Sequence, residues 1–168
     1  MTISMYQAVV PPFSRVLTNL ATILGKAAAH CETSEIDPAV LVSARLFPDM
    51  FPLARQVQIA SDSAKGAAAR LVGIDPPAYV DNETTLAELA ERLHKTVAFL
   101  RTLREEQFAG SEERTVTWKT RTADRSMQGL PFLLTHATPN VYFHVTTAYN
   151  ILRHNGVEIG KQDYLGPA

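Results

Sequence analysis

Hydrophobic positions recur at helical spacing along four stretches of the chain. Tyr6, Val9, Phe13, Val16, Leu20, Ile23 and Ala27 alternate in steps of three and four, which places them on one stripe of a helix from about Ile3 to Ala29. Pro11 and Pro12 fall inside it and predict a kink or a restart, because proline removes a donor and crowds the preceding turn. A second stripe, Leu53, Val57, Ala60, Ala64, Ala67 and Leu71, starts near Pro52 and stops at Gly73, a C-cap residue. A third, Leu86, Leu89, Leu93, Val97, Leu100 and Leu103, is announced by Thr85 and Glu88 at capping-box spacing. The fourth runs from Thr138-Pro139 to about His154 and ends at Asn155-Gly156. Its apolar residues cover more than one face, so it is expected to be buried on more than one side.

The segments between carry other signals. His30 to Met50 is a long connection holding one short helix, with Asp37 as cap and Pro38 as first residue. Thr115 to Lys119 alternates and is β-branched, as a strand would be. Thr122 to Arg125 is polar enough to turn, and Met127 to Leu134 is expected to return as an irregular second strand, broken by Gly129 and Pro131. The tail from Val157 to Ala168 predicts an extension without much structure of its own. The pattern as a whole predicts an all-α antiparallel four-helix bundle over residues 1–168, one domain, with a small β-hairpin inserted before the last helix. The long link between the first two helices leaves an up-down-down-up path open beside a simple up-down one.

Composition narrows the function. The 168 residues carry 16 basic and 17 acidic side chains, a formal net charge of -1, so the basic excess of a nucleic-acid binder is missing. One cysteine, Cys31, rules out an internal disulfide and fits a reducing compartment. The N-terminus lacks the basic and apolar regions of a signal peptide, and no apolar run approaches the ~20 residues of a membrane span. A cytoplasmic protein without membrane partners is expected.

Candidate chemistry is sparse. The five histidines are His30, His94, His136, His144 and His154, and none has another four residues on. His144 and His154 would lie ~15 Å apart along one helix, too far to share an ion. His154 suits a C-terminal cap, where the helix dipole favours a cation. His144 sits among apolar neighbours and reads as a buried, hydrogen-bonded histidine or as part of a ligand pocket. On the second helix Arg55, Gln56, Gln58, Asp62, Lys65 and Arg70 form a polar face. There Asp62 with Lys65 or Arg70 reads as a surface ion pair, or the polar groups face the fourth helix across a cavity. No Gly-rich phosphate loop, nucleophile elbow, Cys-x-x-Cys or Glu-x-x-His motif is present.

Two longer motifs carry a resemblance. Arg45-Leu46-Phe47-Pro48-Asp49-Met50-Phe51-Pro52-Leu53-Ala54-Arg55-Gln56 is one. The other is Pro139-Asn140-Val141-Tyr142-Phe143-His144-Val145-Thr146-Thr147-Ala148-Tyr149, followed by Ile151 to Val157 and Gly160-Lys161. Together they resemble a bacterial and fungal family of unknown function within the DinB/YfiT-like metalloenzyme superfamily. The resemblance implies a DinB-like bundle across nearly the whole chain. Many members hold a divalent metal with one histidine on the second helix and two on the fourth, and some are thiol-dependent transferases or hydrolases. Here His144 matches the first fourth-helix histidine, Ala148 stands where the next is expected, and the second helix has no histidine.

The sequence therefore points to a small organic ligand in the bundle cavity, with His144, Tyr149, Arg153, Gln58 and Asp62 as pocket candidates and no metal ligands. A divergent metal-dependent transferase or hydrolase, with His144 as base or single ligand, is the first alternative. A structural homodimer joined through bundle helices is the second. No cofactor and no reaction is assigned.

Overall fold

The computed structural model describes residues 3–120 and 122–167. Helix α1 spans Met5–Thr33, α2 Pro38–Ser43, α3 Leu53–Val72 and α4 Leu86–Thr102. A 3-10 turn at Glu105–Phe108 leads to strands β1, Thr115–Lys119, and β2, Asp124–Gln128. Helix α5 covers Gly129–Phe132, a π turn covers Leu133–Ala137, α6 covers Thr138–His154 and α7 covers Lys161–Leu165. The chain is thus mostly helical with one antiparallel hairpin, and it has more helices than the four expected.

Local chemistry explains the boundaries. Ser4 caps α1 in a capping box with Gln7, and Thr85 does the same for α4 with Glu88. Asp37 accepts the amide of Ala39 at 2.9 Å to start α2. Gly73 ends α3 in the left-handed conformation, φ 78°, that glycine adopts without strain. Pro11 and Pro12 do not divide α1, which runs through them as one helix.

The four long helices pack in a ring, α1 beside α4, α4 beside α3, α3 beside α6, and α6 beside α1. Side-chain contacts set their directions. Ser4 Oγ donates to Glu105 just past the end of α4 at 2.7 Å, so α1 and α4 are antiparallel. Asn140 meets Ser63 at 2.9 Å and His144 meets Gln56 at 2.7 Å, so α3 and α6 are antiparallel. Gln58 near the start of α3 reaches Glu83 just before α4, and Ser61 meets Thr96 at 2.7 Å, so α3 and α4 run parallel. The path is up-down-down-up.

A parallel pair of consecutive helices requires the chain to travel back. Residues 73–85, extended at about 3.3 Å each, reach past the roughly 30 Å length of α3. A buried arginine holds this return. Arg92 is 3% exposed, and its side chain makes four hydrogen bonds and a further ion pair. Nη1 donates to Glu83 at 2.8 Å and to the Val80 carbonyl at 3.1 Å. Nη2 lies 2.8 Å from both Asp62 and Asp81, and Nε donates to Ser61 at 3.3 Å. Lys65, 6% exposed, pairs with Asp62 at 2.7 Å, and Arg55 pairs with Asp81. Three cations thus face three carboxylates. Tyr79 lies under Lys65, Arg92 and Lys95, with the nearest ammonium 4.3 Å from its ring centre. The Asp62–Lys65 pair expected on the surface is part of this network, with Lys65 buried and Asp62 half-exposed.

Two segments differ from the sequence pattern. The hairpin pairs Thr115 with Gln128 and Lys119 with Asp124, so Asp124 and Arg125 are strand and not turn. The second strand ends at Gln128, because residues 129–132 are already helical. Gly129 lies so close under the Ser111 carbonyl that a Cβ there would collide with it. Helix therefore runs almost unbroken from Gly129 to His154, and Thr138 is not a cap but a helical residue inside it. Pro139, lacking an amide hydrogen, follows directly on the π turn, whose wider ring makes room for it. The tail is not structureless either. In α7, Asp163 pairs with Lys26 at 2.6 Å and the Tyr164 carbonyl accepts from Asn19 at 2.9 Å. No helix among the described residues is long and apolar enough to cross a membrane.

Replacing Arg92 by alanine leaves Asp62, Asp81 and Glu83 facing one another without their shared counter-charge. The expected loss is about 3–5 kcal/mol of unfolding free energy, read from urea denaturation. A loss below about 1 kcal/mol would mean that the network is solvated and does not hold the return segment.

Candidate functional site

Helix α3 is buried on almost every side. From Ala64 to Ala69 no residue is exposed, because α4, α6 and the hairpin approach it from different directions. Small side chains at Ala60, Ala64, Ala67, Ala68 and Ala69 permit that approach. Its polar residues consequently sit in seams. One seam, against α4, holds the Arg92 network. The other, against α6, holds three polar levels.

At the first level His144 is buried and its Nδ1 lies 2.7 Å from Gln56 Oε1. The Gln56 amide NH₂ donates to the Phe51 carbonyl at 3.1 Å, which turns its oxygen toward the imidazole. His144 therefore carries its proton on Nδ1. Burial, and then the nearby Arg55 charge, lower the pKa of His144 and keep the ring neutral. At the second level Asn140 Nδ2 donates to Ser63 Oγ at 2.9 Å.

The third level opens into a pocket of about 170 Å³ bordered by Asp62, Ser63, Arg70, Trp118, His136 and Asn140. Phe132, Ala67 and Ala137 complete its apolar side. The His136 ring stacks on Trp118, centres 4.7 Å apart and planes tilted 32°, with Phe132 5.1 Å from Trp118 and 5.6 Å from His136. Burial, then the positive charge of Arg70, lower the pKa of His136, so its imidazole is neutral near pH 7. The Trp118 indole N–H is buried without an acceptor. Arg70 and Trp118 also border a larger open cleft of about 1010 Å³ beneath the hairpin, which Arg114, Lys119 and Arg125 share.

The five residues singled out from the sequence lie in different places. His144 is at the closed end of the α3–α6 seam, bonded to Gln56. Asp62 borders the pocket, but its Oδ1 is held by Lys65 and Arg92. Gln58 donates to Glu83 at 3.0 Å and belongs to the α3–α4 network. Tyr149 packs edge-on to Tyr164 of α7 at 6.0 Å, and exposed Arg153 donates to the Val157 carbonyl at 3.3 Å. The pocket residues Ser63, Trp118, His136 and Asn140 were not singled out, because the π turn and the hairpin that bring them together leave no periodic mark.

The matching family model spans residues 5–165 and is described as a domain of unknown function, DUF1993. The chain belongs to the DUF1993 family. A crystal structure of a DinB family member protein from Shewanella denitrificans is 44% identical to this DUF1993 chain. It covers 98% of this chain and 93% of its own, and superposes with a TM-score of 0.92. No curated protein matches. The DinB-like fold of this DUF1993 domain is thus shown at high identity. Among its described residues, no three of His, Cys, Asp and Glu converge as a metal-holding group.

The sequence contains one tryptophan, so emission from Trp118 reports on this pocket and the cleft that adjoins it. An imidazolium quenches indole emission more than a neutral imidazole does. Lowering the pH is expected to quench Trp118 through a midpoint below the ordinary histidine value of about 6.5, and His136→Gln is expected to remove that step. A step at or above 6.5 would contradict the buried, Arg70-facing setting of His136.

Proposed function

We propose that this DUF1993 chain is a DinB-like four-helix bundle that binds a small organic molecule in the α3–α6 groove, without the three-histidine metal site its superfamily uses. One observation carries the reading. The groove is a pocket of about 170 Å³ with half-buried Arg70 at its edge, a cation that has no acid partner among the described residues, beside the neutral polar groups of Ser63 and Asn140. A concave, partly apolar pocket with a few convergent polar groups and a cation unmatched by the protein has the make-up of a small-molecule site.

The donor set argues against a resident metal. The seam's two imidazoles stand at different levels. His144 gives one ring nitrogen to Gln56, with only Ala148 one turn later. His136 at the pocket has Asp62 as the one other ionisable ligand type beside it, short of a three-ligand group among the described residues. Gln56, Ser63 and Asn140 supply amides and a hydroxyl, which bind borderline metals such as zinc less well than imidazoles do. The residues present do not fit the metal, and no metal-dependent transferase or hydrolase step is derived for them.

A thermal-shift panel of metabolite-sized acids, amines, alcohols and sugars tests the binding reading. A compound at ten times its Kd is expected to stabilise the protein by about 1.4 kcal/mol, roughly 3–6 °C for a domain of this size. Asn140→Leu, which fills the groove, is expected to lose the shift. If no compound class shifts the wild type more than the variant, the reading falls.

Metal content gives a second test. Protein purified without an affinity tag is expected to hold well under one equivalent of any divalent metal by plasma mass spectrometry. Near-stoichiometric metal that disappears in His144→Ala would overturn the metal-free reading.

A further inference from the structure

Arg70 is the least explained charge in the molecule. Among the described residues it has no acid partner, and burial alone lowers its pKa, with no neighbouring carboxylate to offset it. Its side chain runs back along α3 toward the helix N-terminus, the direction long side chains take on a helix. There its guanidinium occupies the space a Cβ on Gly66 would fill, so Gly66 is the seat that fixes Arg70 over the groove. The remaining lining adds no free negative charge. Asp62 is the one carboxylate, and Lys65 at 2.7 Å and Arg92 at 2.8 Å neutralise it from the far side of α3. Ser63, Asn140 and Trp118 are neutral. Opposite these polar groups stand Phe132, Ala67, Ala137 and the Trp118 ring, a wall suited to hydrocarbon.

We propose that the α3–α6 groove is a receptor for a small carboxylic acid, its carboxylate held by the Gly66-seated Arg70 and its carbon chain against Trp118 and Phe132. This rests on the groove being a ligand site and names the class of ligand. A guanidinium matches a carboxylate with two parallel hydrogen bonds, which a neutral amide cannot accept equally. The apolar wall favours an organic acid over inorganic phosphate, and the pocket's volume limits the acid to a few carbons.

The test is titration of Trp118 emission, excited at 295 nm, with butyrate, butyramide and inorganic phosphate. Butyrate is expected to give a saturable change, with butyramide and phosphate at least ten-fold weaker. Arg70→Gln is expected to weaken butyrate at least ten-fold. Gly66→Ala keeps the arginine and raises helix propensity, yet displaces the guanidinium, so it is expected to weaken butyrate as well with no fall in melting temperature. Butyramide binding as well as butyrate, or butyrate binding unchanged in both variants, would overturn the carboxylate assignment while leaving a ligand groove in place. Phosphate binding in preference to butyrate would also overturn it. Silence of all three probes would overturn it too, and the thermal-shift panel would then decide whether the groove binds anything.

Discussion

The arrangement of this molecule depends on holding residues 73–85 against the groove between α3 and α4. Two consecutive helices joined by a short turn would be antiparallel. These two are parallel, so an extended segment must run the length of α3 with few backbone bonds of its own. Arg92 replaces those missing bonds. Its side chain donates to a backbone carbonyl and a carboxylate of the returning segment and to Asp62 and Ser61 on α3, and it forms an ion pair with a second carboxylate of the segment, Asp81. One side chain therefore cross-links three stretches of chain. The arrangement suits a buried guanidinium because all three of its nitrogens donate to acceptors and the nearby charges balance. Burial raises the pKa of the Glu83 carboxyl, but bonds from Arg92, the backbone and Gln58 outweigh that and hold it below its ordinary value.

That constraint determines what the other side of α3 can be. With the return segment and α4 covering one flank, α3 has only the α6 seam left for polar side chains that are not part of the network. Alanines bring α6 close enough for direct hydrogen bonds at His144–Gln56 and Asn140–Ser63. The polar residues of α6 follow at steps of four, which on a regular helix drift by about 40° per step. The π turn at Leu133–Ala137 advances each residue by a smaller angle and offsets the drift, so His136 stays over the same seam. The hairpin then closes the open end with Trp118, whose ring covers both His136 and Phe132.

Much of this was legible in the sequence where the signal is local. The stripes of α1, α3 and α4, the capping boxes at Ser4-to-Gln7 and Thr85-to-Glu88, the Asp37 cap and the Gly73 stop are all short-range chemistry, and helices form around them. The hairpin's first strand was legible from alternation. Its second was misplaced because Met127 to Leu134 is apolar enough for either state, and close approach to Ser111 at Gly129 is a tertiary matter. Thr138-Pro139 read as a helix start because that dipeptide usually is one; a preceding π turn, invisible to periodicity, makes it an interior position. Arg92 was missed for a related reason. It lies beside Leu93 at the edge of an ordinary stripe, and its partners come from another helix and a loop with no pattern linking them. His144 was legible as a buried histidine bonded to a neighbouring helix, and that is the geometry it has.

At the closed end of the seam the second and fourth long helices are joined by neutral hydrogen bonds. Here two neutral pairs tie α3 to α6 at 2.7 and 2.9 Å. A neutral hydrogen-bonded pair avoids the cost of burying a charge, and the Nδ1–H tautomer of His144 satisfies the Gln56 oxygen across neutral pH. The closed end of the seam is thereby fixed, and its polar groups are mutually satisfied. At the other end Arg70 and His136 make no such bonds to α6 or to each other. The seam is satisfied at one end and keeps Arg70 without an acid partner at the other, among the described residues. That asymmetry, and not the position of His144, is why the proposed ligand site is put at the end that opens toward Trp118.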